Sequence, residues 1–206
     1  LVENKGDVRV LFLEGEELVG AKQNRVLNTS VLVAAKSKIK IPVSCVEQGR
    51  WGYRSRHFGS SGSHSSSKLR YFLKSSVTDS ALHMRGHQSD QGKVWEEVRR
   101  QQRALGASSD SSAMSDTFAA YEDRLSEFRE KLKYVEGASG IAVAIGKKVV
   151  AVDLFDKPAT CQKVWERLMS GYTLDALESE PQESQCESAE VEQLLRTADE
   201  FSWEKA

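Results

Sequence analysis

No apolar run in this 206-residue chain approaches the ~18 residues that a membrane-spanning helix needs. The formal charge at pH 7 is only −1, so no global basic field points to nucleic acid. Cysteine is scarce: Cys45, Cys161 and Cys186 lie far apart, and neither a Cys-x-x-Cys nor a Cys/His pair has the spacing of a zinc site. An odd, sparse count in a chain of this length predicts reduced thiols and a cytoplasmic location. The glycine-rich dinucleotide fingerprint, the P-loop, the Gly-x-Ser-x-Gly elbow and the His-Glu-x-x-His helix are all missing. The chain opens Leu1-Val2-Glu3-Asn4 rather than with a charged and then apolar leader, so a signal peptide is not expected.

What is present supports a folded core. Hydrophobic residues make up 39% and charged residues 29%, a balance that excludes fibrous and wholly disordered chains. The near-neutral total hides a gradient. Lys and Arg outnumber Asp and Glu by 10 to 6 over residues 1–58, and are outnumbered 4 to 11 over residues 158–206. A basic front can attract an anionic ligand, and an acidic tail can shield it or serve as a protein-binding segment.

Hydrophobic patterning predicts strands over residues 8–13, 26–33 and 38–45, joined by short turns as an antiparallel meander. Strict alternation in the third puts Ile39, Ile41, Val43 and Cys45 on one face, with Pro42 marking an edge or bulge. The serine-rich stretches 59–68 and 106–115 read as mobile loops. Helices are predicted over 91–105 and along the stripe Phe118, Tyr121, Leu125, Phe128, Leu132, Val135, the latter ending at Gly137. Residues 141–145 and 149–155 read as a hairpin around Gly146, apolar enough to be buried on both faces. Pro158 opens a further helix through Val164, Trp165, Leu168 and Met169. An acidic linker over 175–190 and an amphipathic helix carrying Val191, Leu194, Leu195, Ala198 and Phe201 close the chain. The fold class expected is α+β: a β-rich, antiparallel N-terminal half in sandwich or small-barrel form, with flanking amphipathic helices and a second hairpin. Residues 1–174 are read as one such domain.

The functional residue types concentrate in two strings. One runs Gly15-Glu16-Glu17-Leu18-Val19-Gly20-Ala21-Lys22-Gln23-Asn24-Arg25, after Glu14. The other runs Ile41-Pro42-Val43-Ser44-Cys45-Val46-Glu47-Gln48-Gly49-Arg50-Trp51. Together they resemble the two signatures of the ARG-and-rhodanese-phosphatase-superfamily-associated protein domain family, where ARG denotes ADP-ribosylglycohydrolase. The resemblance is carried by residues 8–58 and extends through Asp90-Gln91 and Val94-Trp95. It implies an association with ADP-ribose chemistry, through the company the family keeps, and names no cofactor.

Two readings follow. In the first, the strings line one pocket for an ADP-ribose- or nucleotide-like phosphorylated ligand. Glu14, Glu16 and Glu47 then serve as acid/base or metal-bridging groups, Lys22, Arg25 and Arg50 hold phosphate, Gln23, Asn24 and Gln48 read polar edges, and Trp51 stacks. In the second, the same groups form a buried salt-bridge network that braces turns, and the domain is a non-enzymatic scaffold whose partner, another protein or a second copy, meets the acidic C-terminal segment. Cys45 is expected to be an inert core thiol, because alternation places it on the apolar face. His83 and His87 share a face only if residues 83–87 are helical, and His64 is expected to be solvated. Arg50, Arg54 and Arg56 interleave with Trp51 and Tyr53 as in a single-strand platform, but the net charge disfavours nucleic acid, and no membrane partner is expected.

Overall fold

The computed structural model describes residues 1–179 and 186–200. Its strands are β1 (Val2–Asn4), β2 (Val10–Phe12), β3 (Glu16–Gly20), β4 (Arg25–Leu27), β5 (Val31–Val33), β6 (Ser37–Ile39), β7 (Val43–Cys45), β8 (Phe58–His64), β9 (Gly140–Ile145) and β10 (Lys148–Leu154). Its helices are α1 (Ser67–Leu82), α2 (Gln91–Leu105), α3 (Met114–Ala120), α4 (Glu122–Lys131), α5 (Pro158–Glu178) and α6 (Ser188–Glu200). Contacts group them into two compact units: Leu1–Lys133 with Glu166–Glu178, and Tyr134–Trp165 with Ser179–Ala206. The fold is α+β with antiparallel sheets, as the sequence predicts.

In the first unit an open sheet runs in the order β7-β4-β3-β8, and β1-β6 and β2-β5 form separate two-stranded pairs. No strand among the described residues closes this sheet into a barrel. The expected meander does not form either. Apolar run 26–33 divides into β4 and β5, and run 38–45 into β6 and β7. The breaks fall at Asn28, whose N–H bonds the Pro42 carbonyl at 3.2 Å, and at Pro42 itself, which cannot donate to a ladder. The break at Pro42 also resets side-chain parity. Val43 turns outward at 37% exposure, while Ser44 points inward and donates to Asn28 Oδ1 at 2.7 Å.

The serine-rich stretch 59–68 is ordered by pairing, against the expectation of a mobile loop. β8 lies antiparallel to β3, with Phe58 opposite Gly20 and His64 opposite Glu16. Ser66 then caps α1 through the Leu69 N–H. His64 is 1% exposed rather than solvated, because it sits at the inner end of this strand. Helix α1 ends at Leu82, so His83 and His87 do not share a helical face.

Helix α2 spans the predicted residues. Asp90 accepts from the Gly92 and Lys93 amides at its start, and Gly106 ends it at φ +65°. The predicted 118–135 helix is broken at Tyr121 into α3 and α4. Phe118 and Leu125 are buried, but Leu132 and Val135 lie beyond α4 and are 46% and 66% exposed. The core joins Val26 and Val46 of the sheet region to Leu69 and Leu73 of α1, Val98 of α2 and Met114 of α3.

The second unit holds the predicted β9–β10 hairpin, turning at Gly146 with φ +61°. Its side chains are partly exposed on both faces instead of buried on both. Within this unit the Tyr134 and Trp165 rings meet edge to face, centroids 5.5 Å apart. Helix α6 forms where expected; Phe201 lies outside the described residues. Of the expected linker, residues 175–178 belong to α5 and 180–185 lie outside the described residues. No helix among the described residues is long and apolar enough to cross a membrane.

One close approach fixes α5 within the first unit. A Cβ on Gly171 would stand 2.5 Å from the Ser65 carbonyl oxygen and 2.7 Å from that of His64. Alanine normally improves a helix interior by about 1 kcal/mol over glycine. Here the backbone clash decides the sign, and Gly171→Ala is expected to destabilise by about 1–3 kcal/mol. The urea midpoint measures it; a gain in stability would show that α5 does not pack this closely.

Candidate functional site

The second signature string folds into a clasp around Glu47. One carboxylate oxygen accepts from Arg50 Nε at 2.8 Å and from the Ser111 hydroxyl at 2.9 Å. The other accepts from Arg50 Nη2 at 2.6 Å and from the Asn24 N–H at 2.9 Å. The Arg50 donors that remain reach the carbonyls of Ala21 at 2.8 Å and Gly52 at 3.0 Å, and Asn24 Oδ1 at 3.2 Å. Gln23 donates to the Glu47 carbonyl at 2.9 Å, and Arg25 donates to Gln23 Oε1. Burial by itself would raise the Glu47 pKa. The bonds from Arg50, Asn24 and Ser111 outweigh it and hold the carboxyl below its usual value.

Thus Gln23, Asn24, Arg25, Glu47 and Arg50 do come together, and they satisfy one another. Glu14 and Glu16 do not join them. They sit at the far end of β3, about 13 Å along the strand from the turn. There Glu14 pairs with Arg70 at 3.1 Å and Lys74 at 3.2 Å, and Glu16 pairs with Arg167. Burial nonetheless leaves the Glu16 pKa raised, because it exceeds the effect of Arg167. Gln48 accepts from Arg99 of α2. Lys22 lies over the Tyr53 ring at 5.1 Å, and Trp51 is 71% exposed. Cys45 is half-buried; its thiol is raised chiefly by burial, which makes it a poor nucleophile. Among the described residues no group of three His, Cys, Asp or Glu side chains is placed to share a metal ion.

Strand β3 carries a residue that the composition of the string did not single out. Alternation turns Glu17 and Val19 to the face opposite Glu16 and Leu18. Glu17 is fully buried, and neither carboxyl oxygen has a hydrogen-bond partner among the described residues. Burial pushes its pKa up to about 7; the Ser61 hydroxyl and the Ser115 amide, close enough to favour the charged form, oppose that rise, and Glu47 and Asp116 add smaller contributions to it. Glu17 lies at a cleft of about 580 Å3, whose lining includes Arg54, Ser55, Ser60, Ser61 and Ser115. Gly20 borders the same cleft at φ +126°, and a Cβ there would stand 2.4 Å from the Ser55 hydroxyl. Strand parity is the signal that could have found Glu17, had 16–20 been read as a strand.

Two measurements follow. Arg50→Ala leaves the Glu47 carboxylate buried without its partner and is expected to cost about 3–5 kcal/mol at neutral pH. Because the folded Glu47 pKa is depressed, its contribution is present above the unfolded value and lost in acid, so the cost measured by urea denaturation should shrink toward about pH 4. Glu17 has the opposite sign. Its folded pKa of about 7 exceeds the ordinary 4.5, so folding takes up a proton between these values. Stability therefore falls as pH rises across that window, and Glu17→Gln should gain on the wild type there by at most about 1.4 kcal/mol per pH unit. Parallel pH profiles of the two proteins would contradict the burial of a titrating carboxyl.

Neither comparison with curated proteins nor comparison with solved structures finds a match. The family described as ARG and Rhodanese-Phosphatase-superfamily-associated Protein domain matches over residues 1–206, which includes both strings that build the clasp and the Glu17 cleft. The chain is a member of the ARG and Rhodanese-Phosphatase-superfamily-associated Protein domain family.

Proposed function

We propose that this domain binds a small phosphorylated, hydroxyl-bearing compound of the ADP-ribose or nucleotide class in the cleft beside β3. The signature side chains then act as its frame. The observation that carries the reading is the fully buried Glu17 carboxyl, without a cation among the described residues, at a concave, hydroxyl-lined surface. Such groups are costly to keep, and they cluster where a ligand or a reaction uses them. Glu17 titrates near neutrality, so it can donate a hydrogen bond to a ribose oxygen or accept one from a ribose hydroxyl. The serines of the lining can do both. Arg54 has no ion-pair partner among the described residues and borders the cleft, which suits it to a phosphate. Glu14, Glu16 and Glu47 retain a role in holding the walls rather than in acid/base work.

A second reading, a non-enzymatic interaction domain, draws on a separate observation. Those three signature carboxylates are all paired, while Trp51 and Tyr53 are more than 70% exposed on the segment that follows. Exposed aromatics of this kind mark partner surfaces.

Thermal-shift measurements with ADP-ribose, AMP and ribose 5-phosphate separate the two. A ligand at about a hundred times its dissociation constant adds about 2.7 kcal/mol, a shift of several degrees for a domain of this size. The expected result is a shift that Arg54→Ala abolishes while leaving the ligand-free midpoint unchanged. Silence from all three compounds, or a shift that Arg54→Ala leaves intact, would reject the cleft and favour the interaction domain.

A further inference from the structure

A second polar cleft, of about 320 Å3, lies between the C-terminal half of α1 and the start of α2. Phe72, Ser76, Asp79 and Ser80 line it from α1, a spacing of three and four residues that stacks them on one helical face. Gln88 and Lys93 close it from the α1–α2 connection and from α2. None of these belongs to the signature strings.

The Ser80 hydroxyl decides that this is more than a groove between helices. Ser80 is 7% exposed, and its Oγ has no hydrogen-bond partner among the described residues. Within a helix a serine commonly bonds back to a carbonyl of the preceding turn, so a buried hydroxyl without that bond is available to something else. Other polar groups nearby are committed. Asp90 Oδ1 accepts from the Gly92 and Lys93 amides, Asp79 faces His83 at 3.4 Å and Arg85 at 3.8 Å, and Ser89 meets Ser44. The Lys93 ammonium and the Gln88 amide have no partner among the described residues.

The charge balance of the lining selects the ligand class. The lining holds two carboxylates, Asp79 and Asp90, and two cations, Arg85 and Lys93. A bare anion or cation would meet repulsion from half of these groups. A neutral ligand rich in hydroxyls would bond to the groups left over, Lys93, Gln88 and Ser80, with a C–H face against the Phe72 ring. The volume lies at the lower end of the ~300–1,000 Å3 range of small-molecule sites, which fits a compound of a single ring. We infer that this cleft is a second binding site, for a small neutral polyhydroxylated compound of monosaccharide size. It does not depend on the cleft beside β3.

Titration of the 15N-labelled full chain with glucose, ribose and myo-inositol tests it. At least one of the three should give saturable amide shifts at Ser76, Ser80, Gln88 and Lys93, with the β3–β4 amides unmoved. Ser80→Ala should weaken that response about three- to tenfold, the loss expected for one hydrogen bond. Should Ser80→Ala disturb the spectrum elsewhere, Gln88→Ala on the exposed connection provides the same test without touching the interior. No saturable shift with any of the three probes overturns the inference. So does a response that the variants leave unchanged, or tighter binding of inorganic phosphate at the same amides.

Discussion

The carboxylate of Glu47 ties together three segments distant in sequence: the β3–β4 turn at Asn24, the stretch after β7 at Arg50, and Ser111 ahead of α3. A buried ion pair repays its desolvation only when every remaining donor and lone pair is also satisfied. That condition holds here, since the Arg50 donors left over by Glu47 go to main-chain carbonyls that define the turn. Backbone bonds run in parallel. The Val46 N–H reaches the Asn24 carbonyl, Met114 reaches Val46, and Gly49 reaches Ser111. The sheet edge, the turn and the first turn of α3 are therefore one assembly, and the core valine Val46 is held at its centre.

This constraint redistributes the chemistry of the conspicuous residues. A carboxylate that accepts four bonds, and a guanidinium whose donors are all engaged, are poor candidates for a ligand's attention. With the clasp groups engaged at the turn end of β3 and Glu14 and Glu16 paired at its start, Glu17 is the acidic group of the strand left without a cation among the described residues. It shares its face with the core residue Val26 and borders the cleft from the inside. Its burial is not offset by a cation, unlike that of Glu14, Glu16 and Glu47, and the asymmetry between Glu16 and Glu17 within one five-residue strand is the strongest functional signal in the first unit. Adjacent glutamates with opposite fates follow directly from the two-residue period of a strand.

Some elements were legible because their determinants are local. Asp90 and Gly106 bracket α2, Gly146 sets the β9–β10 turn, and Pro158 opens α5, each through backbone preferences that neighbours in sequence suffice to express. The site was only half legible. Gln23, Asn24, Glu47 and Arg50 stand together in the structure, since a turn and the strand beside it bring them together. Glu14 and Glu16 stand apart from that group with Arg70 and Arg167, a placement that nothing in their spacing shows, because β3 carries them to its other end. Glu17 was missed because its neighbours in the string look more reactive.

The sequence by itself determined the α+β class, the caps and turns of its best helices and of the C-terminal hairpin, and the family, all of which are written in contiguous residues. The tertiary structure alone decided that a serine-rich stretch becomes β8, that Ser44 rather than Val43 turns inward, and that His64 is buried. It also decided that Glu14, Glu16 and Glu47 find a cation and that Glu17, among the described residues, does not. Pairing partners such as Arg167 for Glu16 and Arg70 for Glu14 lie 151 and 56 residues away. The free energy of a charged side chain depends on what shares its low-dielectric surroundings, and that is set by packing between distant segments.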